Sequence, residues 1–216
     1  MIPCLLAAGA LLAPVAATAA KPPKPPGQQG VTLKPAAGLI TFSKTVVSTA
    51  SVKGAKAGVN VTLQRRPSTS ATWSDVETKP TDQKGDAAFT TRPRVNTFYR
   101  AVARTTPEQT SAESLVQVAP LVGFRVADTT PRAGQRVRFA GTVRPRHNSR
   151  RVSIQRRSST GTWVTVRRPR LMPGTATYSR YAVRVRVRRT GTYRVRLAPH
   201  ADHAEGLSRE RTLTTP

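Results

Sequence analysis

His200-Ala201-Asp202-His203 is the only cluster of side chains with metal-ligand character in this chain of 216 residues. A zinc site needs three or four donors at defined spacing, and the sequence supplies no further ligands nearby. No metal and no cofactor are therefore expected. The tetrapeptide falls in the loop between the last two expected strands, where polar residues are ordinary. His147 stands alone in Pro145-Arg146-His147-Asn148, which reads as a hairpin turn. Ser, His and Asp are all present, but nothing resembles a nucleophile elbow or another catalytic context. The acids are too few and too scattered for a glycosidase pair. No glycine loop that could cradle a phosphate follows a strand and opens a helix. No catalytic residue is assigned, and the chain is expected not to be an enzyme.

Arginine is the other chemistry in view. The chain carries 36 Lys and Arg against 10 Asp and Glu, a net charge of +26. From Val31 to Ala119 there are 12 basic and 6 acidic residues, giving +6; from Pro120 to Pro216 there are 22 and 4, giving +18. No lysine follows Lys84, and no acid lies between Asp128 and Asp202. Arg184, Arg186 and Arg188 alternate with Val183, Val185 and Val187. Arg194 and Arg196 alternate with Val195 and Leu197, and Arg136 and Arg138 with Val137 and Phe139. A strand that buries the apolar set turns these arginines to its opposite face. If the strands share a sheet, that face becomes a lattice of guanidinium groups.

Arginine's planar fork suits bidentate binding of phosphate, sulfate and carboxylate. A face of like charges with few acids nearby calls for an outside counter-charge, because like charges opposed across strands cost stability. A plain solvated surface is the competing reading, and both stay open. Nucleic acid fits the charge, but no recognised motif appears and the aromatics are too few for stacking platforms. No sequence-specific nucleic-acid partner is expected.

The elements that would hold these residues come from a stretch that occurs twice. Val59-Asn60-Val61-Thr62-Leu63-Gln64-Arg65-Arg66 leads through a polar link to Thr72-Trp73-Ser74-Asp75-Val76. Arg151-Val152-Ser153-Ile154-Gln155-Arg156-Arg157 leads likewise to Thr162-Trp163-Val164-Thr165-Val166. The period-two alternation marks strands with one buried side. The links Pro67–Ala71 and Ser158–Gly161 carry the Ser, Thr, Gly and Pro that close hairpins. Each Trp opens the returning strand, where its ring is expected to cap the core. Phe89, four residues after Gly85, answers Tyr178 after Gly174, and Thr97-Phe98-Tyr99-Arg100 answers Gly191-Thr192-Tyr193-Arg194. A spacing of about 90 residues predicts tandem domains rather than a solenoid.

With these motifs the chain resembles the Ig-like or fibronectin-III-like repeats of secreted and surface proteins of bacteria. Their signature is a leading Gly-x-x-Val strand, a Gln-Arg-Arg strand, a Trp, an Asp-x-x-Gly turn and a Thr-x-Tyr-Arg strand. Gly134 to Val143 matches the leading strand, which blurs to Ser43–Ser48 in the first copy. Asp82 to Gly85 supplies the turn, which the second copy lacks. The resemblance implies an all-β fold of two tandem Ig-like β-sandwiches and says little about function, since such sandwiches host many roles.

Residues 1–20 are apolar and alanine-rich and end in Ala17-Thr18-Ala19-Ala20, which reads as a secretory signal peptide, although no Lys or Arg precedes the apolar run. An uncleaved anchor is the rival, poorly served by two prolines and many alanines. Cys4 is the only cysteine, so the mature chain has no disulfide. Residues 21–30 form a proline-rich spacer. The expected units are then Ig-like domain 1 (31–119) and the arginine-rich Ig-like domain 2 (120–216). No transmembrane span is expected in the mature chain.

These readings combine into a secreted, non-enzymatic binding module, extracellular and held at the cell envelope by charge. Its expected partner is an anionic envelope polymer or polysaccharide, met by Arg136, Arg138, Arg184, Arg186, Arg188, Arg194 and Arg196. The alternative is a spacer or accessory component of an exported enzyme system with no ligand of its own.

Overall fold

The computed structural model describes residues 30–216, so the expected signal peptide and the expected spacer before Gly30 lie outside the described residues. Every regular element among the described residues is a strand. The first group comprises β1 (Val31–Pro35), β2 (Leu39–Thr41), β3 (Val46–Val52), β4 (Asn60–Pro67), β5 (Ser74–Pro80), β6 (Asp86–Thr91), β7 (Thr97–Ala103), β8 (Gln109–Thr110) and β9 (Ser114–Ala119). One sheet has the order β1-β3-β6. The other runs β2-β9-β7-β4-β5, with β8 also on β7. β1 pairs antiparallel with β3, whereas β2 pairs parallel with β9, so the leading segment crosses from one sheet to the other. Between the sheets lie Val31, Val46, Ala50, Val61, Leu63, Phe89, Tyr99, Val116 and Val118.

Pro120 alone separates β9 from the second group. This comprises β10 (Leu121–Val122), β11 (Arg125–Val126), β12 (Arg136–Arg144), β13 (Ser153–Arg157), β14 (Trp163–Arg167), β15 (Met172–Thr175), β16 (Tyr178–Arg186), β17 (Gly191–Leu197), β18 (Gly206–Leu207) and β19 (Arg211–Leu213). Here β10-β12-β16-β15, with β11 on β12, faces β14-β13-β17-β18, with β19 on β17. A second core, built from Phe139, Ile154, Tyr181, Tyr193 and Val195 among others, fills the space between. Phe139 stands at its centre, edge-on to Phe124 at 5.4 Å and to Tyr193 at 5.2 Å, the geometry favoured by the ring quadrupoles. Two antiparallel sheets whose chain order alternates between layers form an immunoglobulin-like sandwich. The chain is all-β and immunoglobulin-like.

The two Gln-Arg-Arg hairpins form as the repeat predicts, β4 with β5 and β13 with β14. Both carry a register shift at the same place, between Leu63 and Gln64 and between Ile154 and Gln155. The tryptophans, however, do not cap the cores. Trp73 and Trp163 lie half-buried on the outer faces, and Trp163 stands opposite Arg157 rather than over a core residue. Arg100 stacks on Trp73 and Arg194 on Trp163 instead, at 4.3 and 4.1 Å from the ring centroids. The match of Phe89 with Tyr178 also fails. Phe89 is fully buried, but Tyr178 lies half-buried under Arg144, and the buried aromatic on β16 is Tyr181. The extra strand β15 shifts the start of β16 relative to its counterpart β6.

Candidate functional site

The first site is the outer face of the sheet that holds β12 and β16. Their register sets Arg136 opposite Arg186 and Arg138 opposite Arg184, all four exposed. Val137, Phe139 and Val185 fill the core side, as the alternation requires. Next along the same face Ala140 stands opposite Ala182 and Thr142 opposite Arg180. These small side chains leave a dip in an otherwise long-chained surface. An open groove of about 1000 Å³ occupies it. Its rim carries Arg125, Arg138, Arg144, Arg180, Arg209 and Arg211, and no carboxylate lines it.

Several of these arginines are held by their neighbours. Arg180 Nε donates to Pro173 O and Arg186 Nε to Gly134 O, each at 3.1 Å, and Arg144 lies over the Tyr178 ring at 5.3 Å. Such anchoring through Nε leaves the terminal nitrogens of Arg180 and Arg186 free to turn outward. The floor is fixed by Tyr181, whose hydroxyl donates to Gly123 O at 2.8 Å and whose burial pushes its phenol pKa up. Leu121, Met172 and Leu207 stand exposed along the flanks and give the groove an apolar margin.

The seven arginines singled out in the sequence do not form one lattice. β16 belongs to one sheet and β17 to the other, so Arg194 and Arg196 face away from Arg184 and Arg186. Both are also engaged already. Arg194 donates to Gln155 Oε1 at 2.9 Å and stacks on Trp163, and Arg196 pairs with Glu205. Arg188 is exposed beyond the end of β16. Arg136, Arg138, Arg184 and Arg186 are brought together, and among the described residues no ion pair reaches them. Sequence reading missed Arg125, Arg144 and Arg180. Arg144 and Arg180 keep the parity of their strands, but Ala140, Thr142 and Ala182 interrupt the visible alternation.

The comparisons with known proteins place no ligand here. No model of a known protein family matches the chain, and no curated protein matches it. Among solved structures it is similar to the crystal structure of bovine butyrophilin, with 11% sequence identity and a TM-score of 0.44 over 86% of this chain and 99% of that one. The fold assignment stands on the strand pairing instead. Among the described residues no helix is long and apolar enough to cross a membrane.

The second cluster corrects the reading of His147 as a solitary turn residue. His147, His200 and His203 are all the histidines of the chain, and they meet. Their ring centroids form a near-equilateral triangle with sides of 4.9, 4.9 and 5.1 Å. His200 and His203 close a tight turn by exchanging backbone hydrogen bonds of 3.0 and 3.2 Å, which holds both rings on one side. His147 N donates to Ser179 Oγ at 2.8 Å. His203 is 3% and His147 7% exposed. Burial holds all three imidazoles below the ordinary histidine value, so they are neutral at pH 7.

The histidine turn also sits on the first sandwich. His203 Nε2 bonds Arg94 O at 3.0 Å, Asn96 N donates to Asp202 O at 2.8 Å, Ser68 Oγ to Ala201 O at 2.9 Å and Ala204 N to Val118 O at 2.9 Å. Four hydrogen bonds thus seat one loop of the second sandwich on the first.

Proposed function

We propose that the protein is a secreted, non-enzymatic binding module of the cell envelope, made of two Ig-like domains (31–119 and 120–216) behind a signal peptide and a proline-rich spacer. Its ligand is an acidic polysaccharide or comparable anionic envelope polymer, taken in the groove over β12 and β16. The observation that carries this reading is the direct opposition of Arg136 with Arg186 and Arg138 with Arg184, unpaired by any carboxylate, beside a groove rimmed by further arginines. Such opposition costs stability in the free protein and is relieved when a polyanion supplies the missing charge. The exposed Leu121, Met172 and Leu207 favour a sugar polymer, whose rings have apolar faces, over a bare polyphosphate. The same Gln–Arg–Trp stack in both halves supports their being copies of one unit.

Titration of the full chain with acidic oligosaccharides of increasing length tests the proposal. Affinity should rise with length and should fall in an Arg138→Gln/Arg184→Gln variant but not in an Arg194→Gln/Arg196→Gln variant. Equal losses in both variants would sink the assignment to this face.

A further inference from the structure

The hydrogen bonds around the three histidines fix where their protons lie. His147 Nδ1 is 2.7 Å from Pro145 O, an acceptor only, so the ring donates there and keeps its lone pair on Nε2. His203 Nε2 donates to Arg94 O in the same way, which leaves the lone pair on Nδ1. The Asp202 carboxylate sits against His200 Nδ1, placing that proton on Nδ1 and the lone pair on Nε2. His200 Nε2 and His203 Nδ1 are buried with no hydrogen-bond partner. Asp202 Oδ1 lies 3.3 Å from His203 Nδ1 but off the line of a hydrogen bond. Buried polar atoms are nearly always satisfied, so two orphaned acceptors in one cluster call for a ligand.

We propose that His147, His200 and His203 form a binding site for a divalent transition metal, best suited to Zn2+. One ring nitrogen from each histidine already lies within 4.8 Å of the others. Three imidazoles around one tetrahedral zinc, each at roughly 2.0–2.1 Å, have nitrogens about 3.3 Å apart, so modest side-chain rotation completes the site. Neutral imidazole is the form that ligates. Each ring's other nitrogen already has the carbonyl or carboxylate partner that commonly orients metal-bound histidine: Pro145 O, Asp202 and Arg94 O. The fourth position is left for water. Because Arg94 belongs to the first sandwich, the metal would fasten the His147 loop and the histidine turn against the junction between the two halves.

The test uses the untagged full chain, stripped with a chelator and titrated with Zn2+ and separately with Co2+. One equivalent of either should bind, and Co2+ should show the visible bands of a four-coordinate nitrogen site. His200→Gln should weaken Zn2+ binding by about 100-fold or more, and Asp202→Asn by about 10–100-fold. The buried His147 and His203 need no substitution, because imidazole 15N shifts report them in the native chain. Metallation should move Nε2 of His147 and His200 but Nδ1 of His203. Absence of stoichiometric binding, binding unchanged by His200→Gln, or imidazole signals unmoved by Zn2+ would each overturn the site.

Discussion

The guanidinium of Arg194 lies 4.1 Å from the ring centroid of Trp163 while its Nε donates to Gln155 Oε1. Arg100 stands the same way to Trp73, with Nε on Gln64 Oε1 at 2.7 Å. The recurring Gln-Arg-Arg, Trp and Tyr-Arg motifs are thus the parts of one outward-facing stack. Half-burial and an arginine over one face make each tryptophan worth less than a core residue. Trp163→Ala should cost about 1–2 kcal/mol, and a double-mutant cycle with Arg194→Ala should give a coupling of about 0.5–1 kcal/mol. Chemical denaturation measures both.

The turn after β5 depends on Gly85 and Asp82. Gly85 has φ +81°, and a Cβ there would lie 2.8 Å from Val52 O and 2.9 Å from Ala55 O. Gly85→Ala should therefore lower stability by about 2 kcal/mol or more, read from the denaturation midpoint.

Asp82 Oδ1 accepts from the backbone N–H groups of Asp86 and Lys84, which hold its carboxyl below the ordinary value of 3.8. A carboxylate depressed in the folded state adds stability above its unfolded value, and that stability is lost as pH falls through the folded value. Asp82→Asn should flatten the loss of stability below pH 3.8 and leave its neutral-pH dependence unchanged. Thermal denaturation across the acid range reads this directly.

Asn96 joins the two halves. Its N–H donates to Asp202 O, and its Oδ1 accepts from the buried N–H of Val118 at 2.8 Å. Asn96→Ala would strand that N–H and cost about 1–3 kcal/mol. The same change should speed proteolysis between Val118 and Leu121, where the chain passes from one sandwich to the other.

Much of the fold was legible because period-two alternation reports burial directly. Val137, Phe139, Val185, Tyr193 and Val195 all face a core, as their spacing requires. Alternation says which face of a strand is buried but not which sheet holds the strand. That is why Arg184 and Arg194 looked like neighbours although they lie in opposite layers. The Trp orientation was hidden because Trp73 precedes β5 and Trp163 opens β14, so neither has a run of alternating residues before it to fix its face. His147 gave no local signal at all. Its partners lie far along the chain, and only folding brings the two loops together.

The opposed arginines give a stability test independent of any ligand. Arg138→Gln with Arg184→Gln should raise the stability of the free chain by about 0.5–1 kcal/mol at low ionic strength. The gain should shrink at high salt, where exposed charges are screened. Thermal denaturation at two salt concentrations checks both statements.

The salt dependence of polyanion binding tests the central claim most directly. Each arginine that neutralises a polymer charge releases counter-ions, giving a slope of log affinity against log salt of roughly −0.7 to −0.9 per contact. Replacing Arg136, Arg138, Arg184 and Arg186 with Gln should flatten the slope for heparin or an acidic wall polymer by about 3 and weaken binding, with the β-sheet dichroism unchanged. A slope that stays the same in that variant would contradict the account and leave these arginines as a solvated surface.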